Sequence, residues 1–566
     1  MSLLIVLPFI LLSLYLFSAK KIYFVLSKII LFLIFFLING LHAGEINAYS
    51  EWNHKLTSRV FMHLANPDEV VRSADYSMII WFFVYFILEM LFSIFLSKKL
   101  LSFLKKPNIA KNQKKIPQWA LSIVLFFGVL IVQIRGGFQA IPININSAIF
   151  SKNPVSNDMS INSLYFFSKS YLLYSRSTID EYIPKINSLQ AKQTVDSLYN
   201  YSRGHNEMFL KNQRPNIVFV VLESWVADAV SCIGQMKNST PHFDQLAKEG
   251  ILFSNVYSTS HTSEIGNASI FSGFPAIPEV SISMQPEKSR KLKSINQVLK
   301  SEGYSSSYLF SGDLKYGNIG GFFMDHNFDK VMDENDFSGD LKKGKLNYYD
   351  EDLYKKFIQE IDGSKEPFIQ CAFTGSTHSP YDFPRKQKAR FFGKEADFMN
   401  SMVYADQCID QFIRQAKKKP WYKNTLFVFV ADHGHASPNV DFAMNHEFYH
   451  IPLLFWGEVI KQEFKGKKIT KKGSQADIPL TLLIQMGFPV FDSFPWSKDL
   501  MNPLSPEFVF HSIIRGYGWG SANGHLAYQF EMKSYIENTF QDSLKNYEQN
   551  RGAAYLKTVY EYYKKL

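Results

Sequence analysis

Cysteine is almost missing from this chain: 566 residues hold three, Cys232, Cys371 and Cys408. Odd in number and widely spaced, they exclude a disulfide framework and a cysteine metal knuckle, leaving small buried positions as their place. A basic nucleic-acid groove motif is missing too. The formal charge of +10 points to an anionic partner, but much of the lysine excess can be placed near a membrane, so no nucleic-acid partner is expected. The first apolar run has no basic residues ahead of it and no A-x-A-like site after it, which argues against a cleaved signal peptide. Long apolar runs are themselves absent after the first 140 residues, and the remainder reads as an ordinary α/β chain.

What is present begins with four apolar segments, at about 3–17, 22–40, 76–97 and 119–135. A helix crosses the hydrocarbon with about 20 apolar residues, so the third is the clearest span and the first is short. Lys98, Lys99, Lys105, Lys106, Lys111, Lys114 and Lys115 separate the third from the fourth with no acidic residue among them. By the positive-inside rule that loop is cytoplasmic, Lys20 and Lys21 put the first loop on the same side, and everything after about Arg135 lies outside. The expected location is a bacterial inner membrane, multi-pass, with an extracytoplasmic C-terminal part. Glu89 lies within the third span and is given no role.

Residues 141–214 read as a polar connector ending in "KNQRPN", and a new domain starts at 215. It opens with "NIVFVVLE", a continuous apolar run typical of a strand buried on both faces of a parallel sheet. Thr240, Pro241 and Gly250 bracket a helix, and "ILFSNVYS" follows as a strand. Further strands are expected at 305–311, 367–374, 425–432 and 451–457, with a helix over 397–417 between two of them. Alternation of this kind predicts an α/β fold with a mostly parallel central sheet. The tail adds a hairpin in "GWGSANGHLAYQ" and a last helix.

Ligands of such sheets bind at the carboxyl ends of the strands. Glu223 ends the first strand; Asp432, His433 and His435 follow the 425–432 strand; His378 follows the 367–374 strand. The loop "YSTSHTSEIGNAS" follows the strand at 251–257. Carboxylates, imidazoles and a hydroxyl converging at one edge suit a cation of intermediate hardness such as Mn²⁺ or Zn²⁺. A metal there activates a Ser or Thr oxygen as a nucleophile, and a helix starting at Thr262 or Ser263 adds backbone N–H groups for a phosphate.

In order, "PNIVFVVLESW", "TPHFDQLAKEGILFSNVYSTSHTSE", "TGSTHSPYDFP", "ADHGH" and "SQADIPLTLL" resemble lipoteichoic acid synthase-like proteins. These are membrane-anchored, sulfatase-type members of the alkaline phosphatase superfamily. The resemblance covers about 215–500. Together with the apolar segments and the connector, with which its architecture agrees, it gives the expected organisation: a multi-span helical membrane domain (1–140, about four helices), a connector (141–214) and a sulfatase-like catalytic domain (215–566). It implies Glu223, Asp432 and His433 as ligands of one divalent metal, Mn²⁺ first, with Mg²⁺ or Zn²⁺ as alternatives. Thr262 is implied as the nucleophile bound to the same metal, and His378 as the substrate-contacting histidine that protonates the leaving oxygen. His435 is a weaker candidate for substrate contact. One departure stands out: where phosphoglycerol transferases of the family carry an arginine, this sequence has Ile319 or Gly320, with Lys315 nearby out of register.

The expected activity is transfer of a phospho-alcohol headgroup, phosphoglycerol or similar, from a membrane phospholipid to an envelope glycan or lipid, through a covalent Thr262 intermediate. Within enzymes the alternatives are a phosphoethanolamine transferase, or a phosphodiesterase or sulfatase-type hydrolase. A formylglycine sulfatase is disfavoured because "HTSEIG" lacks the arginine of a C/S-x-P/A-x-R setting. A non-catalytic membrane regulator on the same fold is the rival from another class.

Overall fold

The computed structural model describes residues 11, 21–52, 55–56, 60, 76–102, 128, 154–175, 182–384, 390–441, 444–488 and 490–566. The chain forms two compact units, Met1–Val70 with Ala74–Thr178, and Val71–Ser73 with Ile179–Leu566.

In the first unit, helices α1 (Lys21–Trp52) and α2 (Tyr76–Ser102) are the two described helices long and apolar enough to cross a membrane. They contain the expected second and third spans. The expected first and fourth, 3–17 and 119–135, lie outside the described residues apart from single positions. The pair is stitched by polar contacts: the Asn39 amide donates to Ser93 Oγ (3.0 Å), and His42 Nδ1 lies 2.6 Å from Glu89 Oε1. Glu89 therefore has an imidazole partner, which lowers the cost of a carboxylate among apolar side chains. Glu45 accepts from Lys55 Nζ at 2.5 Å in a buried ion pair.

The second unit is built on a nine-stranded sheet, order β4-β3-β5-β1-β6-β7-β2-β8, with β9 beside β2. Its strands are β1 (Asn216–Leu222), β2 (Ile251–Tyr257), β3 (Ser305–Phe310), β4 (Lys330–Met332), β5 (Phe368–Phe373), β6 (Thr425–Ala431), β7 (His450–Trp456), β8 (Lys467–Ile469) and β9 (Gly473–Ser474). Every residue of β1, β5 and β6 is buried, as two-sided coverage demands of their unbroken apolar runs. β7 alone runs against the rest: it is antiparallel to both β6 and β2. Two reversals restore direction, so β2 ends at the same edge as β1, β5 and β6, and the loops after all four meet there. Helix α3 (Ser188–Leu198) belongs to this unit, and the following Tyr199 hydroxyl donates to the Trp496 carbonyl. The connector drawn from sequence is thus partly built into the second unit.

The expected hairpin is the centre of a four-stranded antiparallel sheet, Phe508–Ile513, Gly516–Ser521, Gly524–Gln529 and Ser534–Asn538, followed by a helix over Asp542–Lys565. Against this sheet lies a stack of rings: Tyr257 on His446 (4.4 Å), His446 on His525 (4.2 Å), with His511 on Tyr449 (4.2 Å). Both nitrogens of His446 and of His511 are buried without a hydrogen-bond partner among the described residues. Burial, with His525 and Lys472 adding repulsion, pushes the His511 imidazole down to about 3, and burial with the neighbouring imidazoles holds His446 well below its usual range. Glu537 on His525 and Glu447 on His450 are the surrounding acids.

These histidines stay neutral in the fold while the unfolded chain protonates them near 6.5. Stability is therefore unaffected above that pH and falls by about 1.4 kcal/mol per histidine for each pH unit below it, down toward the folded value. The melting temperature of the wild-type protein should drop more steeply between pH 6.5 and 4.5 than that of His511→Phe; equal slopes would contradict this reading.

Candidate active site

β1 and β6 are paired in parallel with Leu222 opposite Ala431. The next residue on each is an acid, so register alone brings Glu223 and Asp432 out side by side. Neighbouring groups hold them. The Glu223 N–H donates to Thr374 Oγ1 (2.9 Å), and Thr377 Oγ1 donates to the Glu223 carbonyl. Ser224 takes a left-handed φ of 62°, an unfavourable conformation for serine. The turn aims its N–H at Asp432 Oδ1 (2.9 Å) and its hydroxyl at Glu223 Oε1 (2.6 Å). The His433 N–H also donates to Asp432 Oδ1, at 2.8 Å.

The His433 Nδ1–H faces the Gly434 carbonyl at 2.7 Å, which leaves Nε2 turned toward the acids, 3.5 Å from Asp432 Oδ2 and 3.7 Å from Glu223 Oε1. One ligand atom from each of these residues lies within 4.8 Å of the other two, and they form the one such group among the described residues. Asp432 is fully buried, and its Oδ2 has no hydrogen-bond partner. Burial and the adjacent Glu223 push the Asp432 carboxyl up to about 8. Burial works against Glu223 as well, but the His433 and His378 imidazoles outweigh it and hold that carboxyl low. His433 is held up by the two carboxylates against the cost of its own burial. Two carboxylates and an imidazole nitrogen, one oxygen left unanswered, are the donor set of a divalent cation, and the residues fit it.

The hydroxyl loop leads into helix α4 (Ser263–Ser272), with Thr262 at its N-cap in extended conformation. The Thr262 side chain caps no backbone N–H; its Oγ1 donates to Glu264 Oε1 at 2.9 Å. Ser263, one residue on, has its hydroxyl 3.3 Å from both Glu223 Oε2 and His433 Nε2. Sequence reasoning noted Ser263 only as a possible cap and did not single out Glu264. The signal was adjacency in "HTSE", but which of three consecutive side chains faces the acids is decided by the helix start. α4 lies so close to the DHG turn that a Cβ on Gly266 would fall 2.0 Å from the Asp432 carbonyl oxygen. Gln475, from "SQAD", clamps the same place: its amide donates to the Asp432 carbonyl (3.0 Å) and its oxygen accepts the Thr259 N–H (2.6 Å).

His378 is exposed on the loop after β5, with Nδ1 at the Ser379 carbonyl (2.6 Å), and its charge is felt by Glu223. His435 is engaged at both nitrogens, by the Ala436 carbonyl (2.6 Å) and the Tyr381 hydroxyl (2.8 Å), and stacks on Phe398. Burial lowers it to about 4. No arginine stands at 311–320: Ile319 is buried, Lys315 is exposed, and Gly317 packs on Glu264.

Substituting Gly266→Ala should cost about 1–3 kcal/mol of stability and weaken Mn²⁺ binding about 10-fold or more by displacing Asp432. Thermal melting and calorimetric titration of the full-length protein check both; wild-type affinity in the variant would show that this close approach does not position the ligand.

Residues 215–488 match the Sulfatase family model. Lipoteichoic acid synthase 2 of Bacillus subtilis (strain 168) is 24% identical over 338 residues, 55% of this chain and 50% of that protein. Phosphoglycerol transferase I of Escherichia fergusonii is 25% identical over 151 residues, 25% of this chain and 20% of its own length. The chain spans about half the length of the B. subtilis relative. Among solved structures, a protein in the alkaline phosphatase superfamily from Vibrio parahaemolyticus superposes with a TM-score of 0.57 at 23% identity, over 68% of this chain and 98% of that one. A lipoteichoic acid synthase from Listeria monocytogenes gives 0.54 at 19%, over 66% and 97%. The chain thus matches the Sulfatase family model over residues 215–488, is similar to lipoteichoic acid synthases and phosphoglycerol transferases, and shares the fold of these two solved structures.

Proposed function

We propose that this protein is a metal-dependent transferase that moves a phospho-alcohol headgroup from a membrane phospholipid to an envelope glycan or lipid. The observation that carries this reading is the meeting of Glu223, Asp432 and His433, with the Ser263 hydroxyl at the start of α4 facing Glu223 and His433. The similarity to enzymes named for lipoteichoic acid synthesis and phosphoglycerol transfer supports it. The two apolar helices and the lysines at 98–115 support an inner-membrane protein with an extracytoplasmic catalytic domain.

Glu223, Asp432 and His433 would hold one divalent ion, Mn²⁺ first, and Thr262 is the neighbour of Ser263, whose hydroxyl faces Glu223 and His433. When bound, the ion supplies positive charge that favours an ionised hydroxyl and offsets the phosphate oxygens. The N-terminal N–H groups of α4 add donors for the same oxygens. The Thr262 oxygen then bonds to phosphorus while the bond from phosphorus to the diacylglycerol oxygen breaks. The hydroxyl proton leaves to water, and His378 delivers one to the departing alcohol. In the second half-reaction His378, left neutral, takes the acceptor hydroxyl's proton as that oxygen bonds to phosphorus; the bond from phosphorus to Thr262 Oγ1 breaks, and Thr262 regains its proton from water.

Mass spectrometry of protein incubated with phospholipid and Mn²⁺, without acceptor, should find the phospho-alcohol on Thr262 and none in Thr262→Ala. Modification of Ser263, whose hydroxyl already faces Glu223 and His433, would move the nucleophile by one residue. Unmodified protein that still releases diacylglycerol would contradict the covalent route.

A further inference from the structure

The Glu264 carboxylate lies beside the Thr262 hydroxyl and near enough to His433 to help hold that imidazole up. It is 3% exposed, and among the described residues it forms no ion pair and its Oε2 has no hydrogen-bond partner. Its other oxygen is 2.9 Å from Thr262 Oγ1, so it is aimed at the atom that would carry the transferred group. An unanswered buried carboxylate oxygen is destabilising, and a native structure keeps such a group where something else answers it.

The surrounding chain is shaped around this carboxylate. Gly317 takes a φ of 55°, and a Cβ there would lie 2.4 Å from Glu264 Cβ. Asn318 follows with a φ of 56°, and the turn is tied down by Ser283, whose hydroxyl donates to the Gly317 carbonyl (2.8 Å) and whose own carbonyl accepts from the Asn318 amide (2.6 Å). Two consecutive left-handed residues, anchored from below, leave Glu264 room that an ordinary side chain at 317 would fill. The same stretch offers no guanidinium: Ile319 is buried, Gly320 abuts Leu314, and the Lys315 side chain is exposed.

We infer that the transferred headgroup is cationic at its far end, a phosphoethanolamine-class group whose ammonium pairs with Glu264. The inference rests on the transferase reading above and names its donor. In such a headgroup the nitrogen is two carbons beyond the phosphate ester, a span of about 4–5 Å from phosphorus by ordinary bond lengths. A phosphate on Thr262 Oγ1 therefore places the ammonium within reach of the carboxylate already hydrogen-bonded to that oxygen. An ammonium forms a charge-assisted hydrogen bond, about twice as strong as the neutral one a glycerol hydroxyl gives. A quaternary choline has no N–H to give, so the site separates all three headgroups.

The test uses full-length protein with Mn²⁺ in vesicles whose labelled lipid is phosphatidylethanolamine, phosphatidylglycerol or phosphatidylcholine, and follows diacylglycerol release. Phosphatidylethanolamine should be used about tenfold faster or more than either of the others, as expected where a buried polar group is left unpaired by the wrong substrate. Glu264→Gln should bring the first two within about threefold, while Glu264→Asp keeps the preference. Release from phosphatidylglycerol at an equal or higher rate, or a preference unchanged in Glu264→Gln, overturns the headgroup assignment and leaves the transferase reading standing. No release from any of the three overturns both.

Discussion

Everything at this site depends on two carboxylates being forced together out of water. Glu223 and Asp432 are placed by backbone register, because β1 and β6 run parallel and each ends in an acid. With ligand atoms 4.8 Å apart or less, two such charges repel by on the order of 3 kcal/mol at an effective dielectric of 20. The chain resists this with donors rather than with lysine or arginine: Ser224 in its strained turn, the His433 N–H and the imidazole behind it. Asp432 Oδ2 still has no hydrogen-bond partner among the described residues. A divalent ion is the simplest group that satisfies all three residues at once, and the proposed metal dependence rests on that deficit.

The same constraint organises what lies next to the acids. Gly266 lets α4 come against the Asp432 backbone, and Gln475 ties that backbone to the hydroxyl loop. The start of the helix is thereby fixed to the acids from two sides, and a hydroxyl at 262 or 263 is held to the site by main chain. The headgroup assignment draws on the other face of this arrangement. The carboxylate that the helix start turns toward Thr262 is Glu264, and the 311–320 stretch whose Gly317 packs on it carries no arginine.

The strands that build the edge were legible because buried parallel strands need unbroken apolar runs, and the acids and imidazoles that interrupt them mark the ends. Glu223, Asp432 and His433 could be read that way, and so could the helix at 241–249 from its proline and glycine. Direction could not: "IPLLFW" is as apolar as its neighbours, and only pairing shows β7 reversed. Side-chain facing at the start of α4 was equally hidden. Successive helical positions turn by about 100°, so adjacent Thr262, Ser263 and Glu264 point to different partners, and no periodicity shows which. The Gln475 clamp and the His446–His511 cluster join residues far apart in sequence, which one chain read alone does not reveal. The engagement of His435 by Tyr381 and Ala436 belongs to the same class.

The most direct test of the account is anomalous diffraction from crystals of the protein grown with Mn²⁺. A single strong peak is predicted about 2.0–2.3 Å from oxygens of Glu223 and Asp432 and from His433 Nε2, with a hydroxyl oxygen of Thr262 or Ser263 at the remaining side. An ordered ion elsewhere, or full-strength binding in Asp432→Asn crystals, would contradict the claim that these two buried carboxylates exist to hold the metal.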